Sequence, residues 1–328
     1  SELSNGLIIS DTENNSKVAI LVVNGMSEFA VIDPAFSAGM PLGLTIMTGL
    51  DVFSHAAEGY TSVLANPMTD MITRSIMQTV VEYLPRAVKD GTDMVARTRM
   101  HIAASLGGWM LANASAHVGH SIAHVMGGMY HIPHGACCAY SLPVVLETIS
   151  AALPEKVKEI GEILGASYNG AESVEEIGKK AAEAYKTFAY ETVGVKPVGD
   201  YVADTPAFEE LADRVVAEPL AGLSPVEITK DVALEMLEKI FRQFRFLQFF
   251  CRKPVYNTGH KKKNVGDAPY GVPHAIHQRC TAIRSTSHES SAYAEAMYVG
   301  DTSEMYHKRQ RCLTEIKNPT GTFLLVKI

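Results

Sequence analysis

A mainly helical protein, introduced by a few short strands, is the fold class this sequence predicts, and three observations point to it. Apolar residues recur at helical spacing from Pro34 to about residue 242. Only residues 1–34 alternate in short β-like runs. Five of the twelve histidines fall between His117 and Gly135, beside a second cluster around Asp51 and His55, so the helices have a polar centre to be built around.

The elements follow in order. Gly6–Ser10, Lys17–Val23 and Phe29–Asp33 read as strands separated by polar turns such as Asp11-Thr-Glu-Asn-Asn. Two or three strands do not make a stable sheet alone. Asp51 and His55 are four apart, with Ala56 and Ala57 following, which favours a helix carrying both on one face. From Met68 to Leu84, apolar residues at 71, 72, 76, 77, 80 and 81 make an amphipathic helix, with Asn66-Pro67 at its start and Pro85 near its end. Further helices are expected around 93–114, 135–152, 154–164, 173–190, 206–218 and 226–242, with Ser173 and Ser224-Pro225 as starts. The expected domains are a β segment (1–34), an all-helical metal-binding domain (35–242) and an irregular basic extension with the composition of a disordered segment (243–328).

Composition narrows the function classes. The chain has 328 residues, 47% apolar and 20% charged, which is ordinary for a globular protein. No apolar run reaches the eighteen or so residues of a spanning helix, and Ser-Glu-Leu-Ser-Asn at the start is no secretory signal, so no membrane partner is expected. Five cysteines, two adjacent and the rest scattered, form no disulfide framework, and a cytoplasmic protein with reduced thiols is expected. Residues 243–328 carry thirteen Lys and Arg against six Asp and Glu, a balance of +7; with −7 overall, residues 1–242 carry −14. So acidic a body argues against a nucleic-acid partner.

The chemistry resides in the histidines. His120 and His124, four apart, project from one helix face. Pro133 disfavours helix at Ile132, so the chain bends there and can bring His134 back towards His120. Two helices each offering such a pair can hold an ion between them, and imidazoles suit a transition metal without choosing one. His117 and His131, each three residues before a candidate ligand, read as supporting or surface residues, and His101 as structural. Glu58, one turn beyond His55, either supports the metal or ends a row of helical ion pairs. Tyr60 and Tyr130 read as packing residues. In the tail, Cys280, Cys312, His274, His277 and His288 have spacings unlike a zinc motif, so no second metal site is expected there.

Gly-Leu-Asp-Val-Phe-Ser-His-Ala-Ala-Glu-Gly-Tyr at 49–60 and Gly-His-Ser-Ile-Ala-His-Val-Met-Gly-Gly-Met-Tyr-His-Ile-Pro-His-Gly at 119–135 resemble the iron-containing (group III) alcohol dehydrogenases. That family also includes lactaldehyde reductase, propanediol dehydrogenase and butanol dehydrogenase. The likeness runs from residue 1 to about 242. It implies the helical domain of the dehydroquinate synthase-like, iron alcohol dehydrogenase type, with strands left over from an α/β nucleotide-binding domain. It further implies Asp51, His55, His120 and His134 as metal ligands and His124 as the catalytic, cofactor-facing histidine. Iron(II), or zinc, and NAD or NADP are the implied cofactors, a small alcohol, diol or aldehyde the substrate, and a homo-oligomer the assembly. The His-Ile-Pro-His-Gly run favours this group over the related glycerol dehydrogenases and dehydroquinate synthases. The family's Gly-Gly-Gly-Ser pyrophosphate loop has no counterpart, and Gly127-Gly128 reads as a packing position; a fragment is therefore expected. The rival readings are a catalytically silent metal-binding helical domain and a metal-dependent hydrolase, whose His-Glu-x-x-His signature is absent.

Overall fold

The computed structural model describes residues 3–251, apart from 12, 14–15, 23–26 and 203–205. Two strands, β1 (Gly6–Asp11) and β2 (Ser16–Leu21), pair antiparallel from Gly6 opposite Leu21 to Asp11 opposite Ser16. Phe29–Asp33, expected as a third strand, is not one. Among the described residues no neighbour offers it a ladder, and without a partner its β-like side chains do not make a strand.

Helices follow from residue 42. They are α1 (Leu42–Thr61), α2 (Pro67–Lys89), α3 (Met94–Asn113), α4 (Val118–Tyr130), α5 (His134–Ile149), α6 (Pro154–Ile163), α7 (Val174–Lys186), α8 (Phe208–Ala217) and α9 (Lys230–Cys251). Local chemistry sets their starts. Asn66 accepts from the backbone N–H of Met68 and Thr69 while Thr69 returns a bond to Asn66, and Pro67 occupies the first helical position. Asp93 accepts from Val95 and Ala96 N–H at the head of α3, and Ser173 with Glu176 closes a capping box on α7.

Three ends differ from expectation. α2 runs through Pro85 to Lys89, because only one backbone donor is missing and the helix continues a further turn. The helix expected to 190 changes at Thr187 into a wider π turn through Val193, closed by Gly194 at φ 87°. α9 continues to Cys251, past the boundary expected at 242. The rest of the basic extension, with its cysteines and histidines, lies outside the described residues.

α5 is the centre of the packing: α1, α4, α7 and α9 all lie against it. Its residues from Gly135 to Leu146 are all buried, as are Val118 to Gly128 of α4. Phe53 of α1 meets Tyr185 and Phe188 at ring centroid distances of 5.4 and 6.0 Å, tying α1 to the α7 end of the core. Such apolar burial contributes about 25 cal/mol per Å2 and permits a few costly polar groups at the centre. Gly135 shows how closely α5 approaches α1, since a Cβ there would lie 2.1 Å from the Met47 carbonyl oxygen. That approach brings the first turn of α5 to the middle of α1. Among the described residues, no helix is long and apolar enough to cross a membrane.

Candidate metal centre

α1 presents three polar side chains in successive turns, Asp51, His55 and Glu58, towards α4 and the start of α5. Asp51 is the hub. Its Oδ1 lies 3.7 Å from His55 Nε2, 3.6 Å from His120 Nε2 and 3.6 Å from His134 Nε2. Yet Oδ1 is buried and makes no hydrogen bond. The spacing is meaningful: oxygen and nitrogen donors about 2.1 Å from one ion at tetrahedral angles sit about 3.4 Å apart. An acceptor ringed by nitrogens just beyond bonding reach is thus shaped for a cation between them, and the residues present fit a divalent metal.

The bend expected at Ile132 is there. His131 takes the left-handed conformation at φ 54°, Ile132 is buried, and Pro133 precedes the first residue of α5, His134. The His120 and His134 rings are 5.4 Å apart and those of His55 and His120 stack at 4.6 Å. His120 is 3% exposed, whereas Asp51 and His134 retain 21% and 29%, so the cluster opens to solvent on the His134 side.

The second carboxylate, Glu58, is fully buried and has every oxygen held. Its Oε1 faces His120 Nδ1 at 3.2 Å, and its Oε2 accepts the backbone N–H of His117 at 2.6 Å and of His120 at 3.3 Å. His117 Nε2 meets Thr61 Oγ1 at 2.9 Å. Of the two readings open for Glu58, support of the cluster is therefore the one realised: it orients the ring of His120 so that Nε2 faces Asp51. Gly119 makes room for it, as a Cβ there would lie 2.0 Å from Glu58 Oε1. His117 is buried within this support, and His131 is exposed.

Electrostatics match the geometry. Burial alone would raise the Asp51 carboxyl, but His55, His120 and His134 together hold it far below the usual carboxylate range. Glu58 is held down to about 2, the nearby His120 and His117 outweighing burial. Burial pushes His55 down to about 4 and His134 down to about 3, so both rings are neutral and carry a free lone pair at neutral pH. His120 rises: burial opposes its charge, but Cys138, Glu58 and Asp51 around it favour it.

Two neighbours were not foreseen. Glu218, between α8 and the short turn Pro219–Leu223, lies with Oε1 2.7 Å from His124 Nδ1 and accepts from Ser121 Oγ and Leu220 N–H through Oε2. No local pattern links Glu218 to a histidine 94 residues earlier. Cys138, one turn after His134 on α5, brings Sγ within 3.7 Å of His120 Nε2 and 3.6 Å of His134 Nε2. Burial pushes that thiol up to about 12. Its i, i+4 spacing from His134 was a readable signal. Asp51, His120, His134 and Cys138 each offer one donor atom to a group spanning no more than 4.8 Å; His55 lies at its edge, against Asp51 and His120. A cavity of about 670 Å3 lined by Val81, Leu164, Lys179 and Phe188 shares no residue with this cluster.

Comparison with known proteins gives a consistent picture. Residues 45–241 match the model of the Fe-containing alcohol dehydrogenase family, C-terminal. Alcohol dehydrogenase 4 of Saccharomyces cerevisiae is 36% identical over 244 residues, covering 74% of this chain and 62% of the yeast protein. The NAD-dependent methanol dehydrogenase of Bacillus methanolicus is 33% identical over 221 residues, covering 65% of this chain and 58% of that one. The solved alcohol dehydrogenase from Oenococcus oeni superposes with a TM-score of 0.68 at 30% identity, over 73% of this chain and 62% of that one. The chain thus spans about six-tenths of the length of the relatives it matches.

Proposed function

The chain belongs to the iron-containing alcohol dehydrogenase family, and from that premise we propose that its buried cluster holds one divalent ion, iron(II) or zinc, for hydride transfer between a small primary alcohol or diol and NAD or NADP. Asp51, His55, His120 and His134 are ligands in this reading. One observation carries it: the buried Oδ1 of Asp51, without a hydrogen bond, facing three imidazole nitrogens at 3.6–3.7 Å. When bound, the ion supplies Lewis acidity towards an alcohol or aldehyde oxygen, and the nicotinamide supplies the hydride acceptor or donor.

The chain's own residues do the positioning. Glu58 accepts from His120 Nδ1, fixing the proton there and presenting Nε2 to the cluster. Glu218 does the same for His124, whose Nδ1–H donates to it, leaving Nε2 as the acceptor for the alcohol proton. His124 is 3% exposed and its ring stacks on that of His134 at 5.4 Å, so the proton is taken up beside the cluster and away from bulk water. The buried thiols of Cys137 and Cys138 support a cytoplasmic setting.

The test is reconstitution of the purified chain with iron(II) or zinc in the absence of oxygen, followed by metal analysis and alcohol-dependent reduction of NAD or NADP. One ion per chain with turnover is expected. His124→Ala should keep the ion and lower turnover roughly 100-fold or more; loss of the ion instead would move His124 into the ligand set. No ion bound under either metal overturns the reading. An ion bound without turnover leaves a metal-binding helical domain that is catalytically silent by itself, a reading favoured by the four-tenths of each relative lying beyond the match.

A further inference from the structure

The donor geometry of the cluster is nearly symmetric about two nitrogens. Nε2 of His120 and Nε2 of His134 each lie 3.6 Å from Asp51 Oδ1, and the same two atoms lie 3.7 and 3.6 Å from Cys138 Sγ. A sulfur about 2.3 Å and a nitrogen about 2.1 Å from one ion, at tetrahedral angles, are about 3.6 Å apart. All four atoms fit within 4.8 Å of one another. Both sulfur–nitrogen contacts are within hydrogen-bond reach of sulfur, but a thiol has one proton and can donate to only one imidazole at a time. An ion at the centre would engage both nitrogens, the sulfur and the unpartnered carboxylate oxygen together.

The adjacent Cys137 makes the contrast. It is equally buried, yet its Sγ is directed to the Ile132 carbonyl at 3.9 Å and takes no part in the group. One turn of α5 separates His134 from Cys138, so the helix carries both donors on one face while Cys137 points elsewhere. His55 is less centrally placed: its Nε2 is 3.7 Å from Asp51 Oδ1, but its ring stacks face to face on His120.

We propose that Cys138 Sγ is a further direct ligand of the ion held by Asp51, His55, His120 and His134, adding a thiolate to one carboxylate and three imidazoles. This rests on the metal-binding reading above. A thiol bound to a divalent ion gives up its proton, here to solvent through the open His134 side. Asp51 and Cys138 then balance the ion's charge, and the softer sulfur favours zinc more than an all-nitrogen-and-oxygen set does.

Cobalt(II) separates the proposal from its premise. The full chain is loaded with cobalt(II) without oxygen, and uptake is measured by elemental analysis alongside the visible and near-ultraviolet spectra. A sulfur-to-cobalt charge-transfer band in the near ultraviolet is expected; Cys138→Ser should lose it while still taking up cobalt, and Cys137→Ser should keep it. Cys138→Ala repeats the test should serine fail to fold, and thermal unfolding reports folding for every variant. Cobalt uptake without the band, or a band that survives both Cys138 variants, overturns the sulfur ligand and leaves the metal reading standing. No cobalt uptake overturns both.

Discussion

Two carboxylates on α1, two turns apart, have opposite fates. Glu58 is sealed off and saturated: two backbone amides and an imidazole donate to it, and every lone pair with a neighbour is used. Asp51, equally surrounded by histidines, keeps Oδ1 free of hydrogen bonds at the hub of the cluster. A buried polar group left unsatisfied costs about 1–3 kcal/mol, so a fold retains one only where something else compensates. The satisfied carboxylate builds the scaffold, and the unsatisfied one carries the atom on which the proposed metal site rests.

That contrast can be broken from either side. The largest effect is expected at the scaffold. Glu58→Ala strands His120 and two amides in the core and should lower stability by about 3–5 kcal/mol in urea unfolding; a loss under about 1 kcal/mol would mean Glu58 is not the support described. Next comes Gly119→Ala, whose new Cβ would press on Glu58 Oε1. It should cost about 1–3 kcal/mol and weaken metal uptake, through displacement of the carboxylate that orients His120.

Asp51→Asn should behave in the opposite way. Without metal it should lose less stability than Glu58→Ala, because the substitution gives up the attraction of the histidines but Oδ1 has no hydrogen bond to lose, while metal content falls to background by elemental analysis. A large stability loss in the metal-free protein would show Asp51 to be scaffold as well, and erase the distinction.

The smallest effect is expected at a third carboxylate, outside the cluster. Glu159 receives Arg74 Nε at 2.5 Å, and the hydroxyl of Tyr60 donates to it. Burial would raise its carboxyl, but these two partners hold it below its ordinary 4.5. Its contribution is therefore present above pH 4.5 and is lost as pH falls through the lower folded value. Because the pair is about a third exposed, Glu159→Gln should remove about 1 kcal/mol or less at neutral pH and flatten the acid side of a melting-temperature profile. An unchanged acid limb would show that solvent already screens the pair.

Much of the helical body is legible in the sequence because its signals are local. Asn66-Pro67 and Ser173 mark helix starts by chemistry within three residues. The continuation of α2 past Pro85 and the π turn after Lys186 were not legible, since neighbouring elements decide whether a strained turn is kept. Phe29–Asp33 has the composition of a strand and lacks only a partner, which no local pattern can supply.

The site divides along the same line. By itself the sequence determined that Asp51 and His55, then His120 and His124, share helix faces, and that Pro133 puts a bend before His134, because four-residue periodicity and proline sterics act within one turn. Only the tertiary structure decided which side chains meet. It set Glu218 on His124 across 94 residues, closed Glu58 over His120 across 62, and turned Cys138 into the group while Cys137 faces away. Those choices depend on how α1, α4 and α5 pack, and packing is settled by the volume and shape of the whole core, which no single turn of chain contains.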